Sequence, residues 1–231
     1  MFPSVQAAFP NFSATFEGRV AYMYLDILGL VTVGIGNLID PVEEARALPF
    51  EFKNAPGTLA TADQIAAEWQ TVKGDQSLKN SRFTVFDPIT QLQLSDASIN
   101  TLVLNRLTQN EAFLKRQQWF ADFDTWPSDA QMGLLSMAWA MGPGGPGQFP
   151  HFRAACQSHD FTTAAAQCKM NETGNAGLIP RNRANATLFS NAAIVLGGEA
   201  QGIFQRLSLY YPKALTTADL ASAGATPRTT G

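Results

Sequence analysis

Residues 132–141 read MGLLSMAWAM. A helix with that sequence is apolar on nearly every face, so it offers no side to water and belongs at the centre of a helical core. Its end is fixed as well, because Gly142-Pro-Gly-Gly-Pro-Gly147 cannot continue a helix. Its start reads as a capping box, with Ser128 as N-cap and Gln131 three residues on. The chain has 231 residues, 45% hydrophobic and 15% charged. That is enough to bury a sizeable core in one domain or one two-lobed domain, and too apolar for a disordered chain.

The first forty residues have a different grammar. Residues 11–18 predict a helix that stops at Gly18. Tyr22–Leu25, Leu30–Val33 and Asn37–Ile39 predict short strands of a small antiparallel sheet, separated by turns at Asp26–Gly29 and Gly34–Gly36. The stretch 40–94 reads as an insertion. It holds a short helix at 41–48, a helix opened by the capping box Thr61/Gln64 and running through Val72, and a loop-rich stretch at 74–90. Ser95 caps a long helix expected over 96–118. Further helices are expected near 149–157, 161–170, 181–196 and 199–210, with a frayed tail over 216–231.

The resulting fold class is α+β and mainly helical. A β-containing lobe (about 11–94, insertion 40–94) is followed by a linking helix (95–118), a helical lobe (119–215) and the tail.

The formal net charge of −3 argues against a nucleic-acid partner. No run of about 18 apolar residues occurs, so no membrane span is expected. The start MFPSVQAAFPNF has no basic segment followed by an apolar one, so no secretory signal is read. Cys156 and Cys168 flank a turn between two short helices, and a disulfide and two buried thiols fit the spacing equally well. With His151 and His159 they match no common zinc pattern, so zinc is not expected.

Glu17, Asp26 and Thr32 follow one another at offsets of nine and six, just before Gly34-Ile-Gly36. A carboxylate at a helix end, a second on a tight turn and a hydroxyl on the returning strand could face one cleft. Two carboxyls in unlike surroundings are what glycoside hydrolysis requires, one protonated to donate to the leaving oxygen and one ionised to activate water. The plainer readings are a surface glutamate, a turn aspartate and a threonine placed for strand packing.

In these residues the chain resembles the phage-type lysozymes, the muramidases of glycoside hydrolase family twenty-four. The Glu17–Asp26–Thr32 spacing, the Gly34–Gly36 turn, the segment LLSMAWAMGPGG and the later Gly177-Leu-Ile-Pro-Arg181-Asn-Arg183 with Phe189 carry the resemblance, in the family's order. It covers roughly 13–39 and 95–195. Two positions depart from it: Asn37 stands where members often carry His, and Ala140 where some carry Gln.

The resemblance implies a lysozyme-like fold and inverting cleavage of the β-1,4 bond between N-acetylmuramic acid and N-acetylglucosamine, with no metal or cofactor needed. Glu17 would be the general acid, Asp26 would activate the attacking water and Thr32 would hold it. Arg181 would pair with the acid or bind substrate. Asn37, Tyr24 and Trp139 are further substrate-binding candidates, and a core position fits Trp139 as well. The expected partner is bacterial peptidoglycan, met by a monomer in the periplasm or at the cell wall. Without a signal, such a chain reaches the wall through a secretion system or a holin, or is excised from a larger protein. The chain is read as an endolysin or a secreted antibacterial effector, and an effector would have a neutralising immunity protein in its producer. A lytic transglycosylase and a non-catalytic wall-binding module are the alternatives.

Overall fold

The computed structural model describes residues 1–199 and 201–224. The architecture is α+β and predominantly helical, with two small three-stranded antiparallel sheets. Contacts within the chain divide it into two units, Ser13–Arg106 and Met1–Phe12 with the chain from Leu107 onward.

In the unit Ser13–Arg106, the first helix, α1 (Pro3–Glu17), delivers its last residues. It is longer than the sequence suggests and carries Pro10 inside it. It stops where expected: Gly18 takes φ +76° while its N–H donates to the carbonyl of Ala14. The strands β1 (Val20–Leu25), β2 (Val31–Gly34) and β3 (Asn37–Leu38) form the first sheet in that order, all antiparallel. Tyr24 faces Thr32 and Val33 faces Asn37 in the register.

The insertion braces this sheet. After a short helix, α2 (Val42–Arg46), comes a second sheet that the sequence did not signal. Its strands are β4 (Glu51–Phe52), β5 (Ala55–Leu59) and β6 (Leu92–Gln93). The helix α3 (Ala62–Gly74) lies between β5 and β6 in sequence and starts with both capping-box bonds of Thr61 and Gln64 in place. Its Trp69 Nε1 donates to the carbonyl of Ile39 at 2.8 Å, and Lys73 Nζ reaches Asp40 Oδ2 at 2.5 Å and the carbonyl of Gly29 at 3.0 Å. The 74–90 stretch is loop with three short 3-10 turns. The long helix α4 (Asp96–Lys115) opens on Ser95, whose Oγ accepts from the N–H of Ser98 at 3.1 Å.

The other unit is helical and is built on α5 (Ser128–Met141), buried from Ser128 through Trp139. The capping box expected here does not form. Ser128 is already the first helical residue, and its Oγ meets Ser4 Oγ at 2.9 Å. Gln131 instead accepts from the N–H of Phe2 and donates to the carbonyl of Phe123. Burial has given both polar side chains other partners, a serine hydroxyl for Ser128 and backbone groups for Gln131, which outweigh a local cap.

Against α5 packs α8 (Leu178–Glu199), so closely that a Cβ on Gly133 would stand 2.9 Å from the Phe189 ring. The short helices α6 (Pro150–Gln157) and α7 (Phe161–Gln167) complete the core, with Phe152 5.2 Å from Phe189 and Trp126 5.3 Å from Phe161 between ring centroids. Cys156 and Cys168 are both free and buried. The helix expected over 199–210 is not formed among the described residues 201–210, Ala200 lying outside them. Turns and irregular chain follow instead, with Gly202 at φ +70° and Arg206 paired to Glu199. Within the stretch read as a tail, Thr217–Gly224 forms a further helix, α9, and residues 225–231 lie outside those described. Among the described residues no helix is long and apolar enough to cross a membrane.

Candidate active site

A cleft of about 360 Å³ opens in the unit Ser13–Arg106. Glu17, Tyr24, Leu25, Asp26 and Ile27 form one part of its lining, and Asn80–Phe83 forms the other. Three of the sequence-derived candidates therefore share one space, and each is placed by a different local device.

Glu17 is the last residue of α1, set there by the stop at Gly18. Its carboxylate lies against the β2–β3 turn. A Cβ on Gly36 would stand 3.4 Å from Glu17 Oε2, and Gly36 has φ +66°. That conformation disfavours any residue with a side chain. Arg106, on α4, ties down the same turn, its Nη1 donating to the carbonyl of Gly36 at 2.6 Å. Burial pushes the Arg106 guanidinium below its ordinary value, and the charge of Glu17 pulls the other way. The sequence reading missed this arginine. Its position seventy residues after Gly36, inside an ordinary-looking helix, gave no signal.

Asp26 is held by a turn that it makes itself. Its Oδ1 accepts from the N–H groups of Leu28 (2.8 Å) and Leu30 (2.9 Å). Its backbone N–H donates to the carbonyl of Leu30 at 2.9 Å. Both side-chain bonds end on one oxygen, so Oδ2 has no donor among the described residues. The turn role and a role in the cleft are thus compatible in one carboxylate.

Tyr24 lies in the charge of both acids. Its hydroxyl is raised well above the ordinary phenol range, first by burial and then by the charges of Glu17 and Asp26. A phenol so placed stays protonated and can donate a hydrogen bond. Thr32 is the cross-strand partner of Tyr24, on the same face of the sheet. It is buried, and its Oγ1 donates to the carbonyl of Leu30 at 3.3 Å. Asn37 is 2% exposed, and its Oδ1 accepts from the N–H of Ile35, so its amide closes the Gly34–Gly36 turn.

Arg181 and Trp139 belong to the other unit. Arg181 is 1% exposed, and its Nη1 donates to the carbonyl and hydroxyl of Ser136 at 3.3 and 3.4 Å. The Trp139 ring is buried 5.3 Å from that of Phe9, which is a core position.

Asn80, Ser81, Arg82 and Phe83 come from the insertion and were not anticipated. The Phe83 ring stands 6.3 Å from that of Tyr24. Among the described residues no group of three or more His, Cys, Asp or Glu side chains is placed to hold a metal ion.

The residues that line the cleft thus include two that carry carboxylates, a tyrosine whose phenol stays protonated, a half-exposed phenylalanine and an arginine. Chemically the cleft can donate a proton, orient a water and hold a ring-shaped polar ligand. No protein-family model matches the chain, and no curated protein matches it.

Proposed function

We propose that the protein is a muramidase with a phage-type lysozyme fold, cleaving the β-1,4 bond between N-acetylmuramic acid and N-acetylglucosamine by inverting acid/base hydrolysis. One observation carries the reading: Glu17 and Asp26 line a single cleft, with the Tyr24 phenol held in the charge of both.

Glu17 is the general acid that protonates the leaving oxygen. Asp26, through the oxygen its turn leaves unused, activates the water on the other face of the sugar. An inverting pair needs its carboxyls about 6.5–9.5 Å apart to admit that water. Thr32, across from Tyr24, helps to hold the water, and the Tyr24 hydroxyl donates to substrate or to a carboxylate. Asn37 and Arg106 act one step back, through the turn that abuts Glu17. Arg181 and Trp139, the other substrate-binding candidates, are buried in the helical unit.

The setting that fits is the bacterial cell wall, with delivery by a secretion system or a holin. No cofactor enters the reaction. A secreted effector of this kind would be met in its producer by an immunity protein.

Product analysis on purified peptidoglycan tests the proposal. Disaccharide-peptides with reducing N-acetylmuramic acid ends are expected. Ends in the 1,6-anhydro form would show a transglycosylase instead, and binding without any cleavage would show a wall-binding module.

A further inference from the structure

The segment Asn80–Phe83 has no place in the resemblance, since it lies in the insertion, yet it lines the Glu17/Asp26 cleft. Phe83 is 40% exposed, an unusual position for a phenylalanine held in place from two sides. One side is Tyr24, whose ring is tilted 59° to it. The other is Gly18, the residue after Glu17: the point where its Cβ would stand is 3.6 Å from Phe83 Cε1. The ring is therefore anchored to the backbone that presents the acid.

Arg82 precedes it with extended backbone (φ −65°, ψ 142°) and an exposed side chain. Arg19, Arg46 and Arg206 each pair with a carboxylate. Arg82 makes no side-chain hydrogen bond or ion pair among the described residues. The fold does not use its guanidinium, and Arg82 is one of the residues that line the cleft. A fork of N–H donors at the mouth of a cleft recognises a carboxylate, and an exposed aromatic face recognises a sugar ring. A cation there also offsets the field of Glu17 and Asp26, which would otherwise repel an anionic ligand.

We propose that Asn80–Phe83 is the substrate-selecting wall of the cleft. Phe83 stacks on a sugar ring, and Arg82 binds a carboxylate on the muramyl side arm, either the lactyl group's own or one from an attached peptide. The cleft thereby favours acidic glycan strands over neutral N-acetylglucosamine polymers. This rests on the glycan-cleaving reading above and adds its specificity determinant.

The test is calorimetric titration of the full chain carrying Glu17→Gln, which keeps the cleft and stops turnover. Three probes are used: neutral N-acetylglucosamine oligomers, peptide-free acidic strands and peptide-bearing strands. Acidic strands should bind more tightly than neutral ones. Adding Arg82→Gln should weaken acidic binding by roughly 3- to 10-fold and leave neutral binding unchanged. Adding Phe83→Ala instead should weaken both kinds by roughly fivefold. A preference already present with peptide-free strands identifies the lactyl carboxylate, and one confined to peptide-bearing strands identifies the peptide. Equal loss on acidic and neutral probes with Arg82→Gln, or no loss on either, overturns the inference. Should the wild type cleave peptidoglycan while Arg82→Gln changes no selectivity, only this inference fails. If the wild type cleaves no glycan and the Glu17→Gln protein binds none, the muramidase reading fails with it.

Discussion

Arg106 donates a 2.6 Å hydrogen bond to the carbonyl of Gly36, and Gly36 is the residue whose missing side chain leaves the Glu17 carboxylate its place against the turn. A residue of α4, a glycine in a two-strand turn and the end of α1 thus fix one carboxylate. Gly36→Ala should cost about 1–2 kcal/mol from the left-handed backbone alone. Gly57 is a built-in control: it has φ +87° and nothing within 4 Å of its missing Cβ. Both alanine variants should lose similar stability in denaturant titrations, and only Gly36→Ala should also lose turnover. Equal activity in the two would remove the turn from the account.

Tyr24→Phe should leave the fold intact, because the ring keeps its contact with Phe83. It removes a hydroxyl that lies in the charge of both Glu17 and Asp26. Turnover on peptidoglycan should drop about tenfold with little change in melting temperature, the scale of one charged-partner hydrogen bond. Unchanged turnover would make Tyr24 a wall and nothing more.

Asp129 lies fully buried in the helical unit and accepts three hydrogen bonds, from Asn191 Nδ2 (2.8 Å), the Tyr210 N–H (2.9 Å) and the Tyr211 N–H (3.0 Å). Every partner is a donor, so Asp129→Asn sets an amide N–H₂ against a donor and should cost about 1–3 kcal/mol. Burial raises the Asp129 carboxyl, and its donors oppose that only in part. The folded state therefore holds this proton more tightly than the unfolded one. Stability from this group is fullest below the unfolded value of about 3.9 and declines as pH rises through the folded value. Chemical denaturation of wild type and variant across that range should show this contribution only in the wild type.

Asp219 works in the opposite sense. Lys213 first, then the hydroxyl and N–H of Thr216, hold its carboxyl at about 2. Its contribution is present above the unfolded value of about 3.9 and is lost as pH falls from there toward 2. An NMR titration should place the Asp219 inflection near 2, with the shifts of Thr217–Leu220 following it. An inflection near 4 would mean that this helix start is not held as described.

How much of this was legible depended on distance along the chain. The end of α1 at Gly18, the Thr61/Gln64 box, the Ser95 cap and the buried α5 were readable because a few consecutive residues decide each. So was the meeting of Glu17, Tyr24 and Asp26, since a helix stop and one hairpin bring them together. The Ser128/Gln131 box failed because burial gave both side chains distant partners. The strands β4 and β6 are two residues each and leave no periodicity to read. Arg106 reaches the Gly36 turn, and Asn80–Phe83 the cleft, by tertiary packing alone, and no local pattern announces that.

The most direct measurement is the rate at which reducing ends appear on purified peptidoglycan with wild type, Glu17→Gln and Asp26→Asn. Both substitutions keep shape. Asn at position 26 retains the oxygen that accepts from Leu28 and Leu30, so the turn should survive. The account predicts release by the wild type and a loss of at least about a hundredfold in each folded variant. Release that persists in Asp26→Asn, or in Glu17→Gln, would contradict the claim that these two carboxylates act as one acid/base pair.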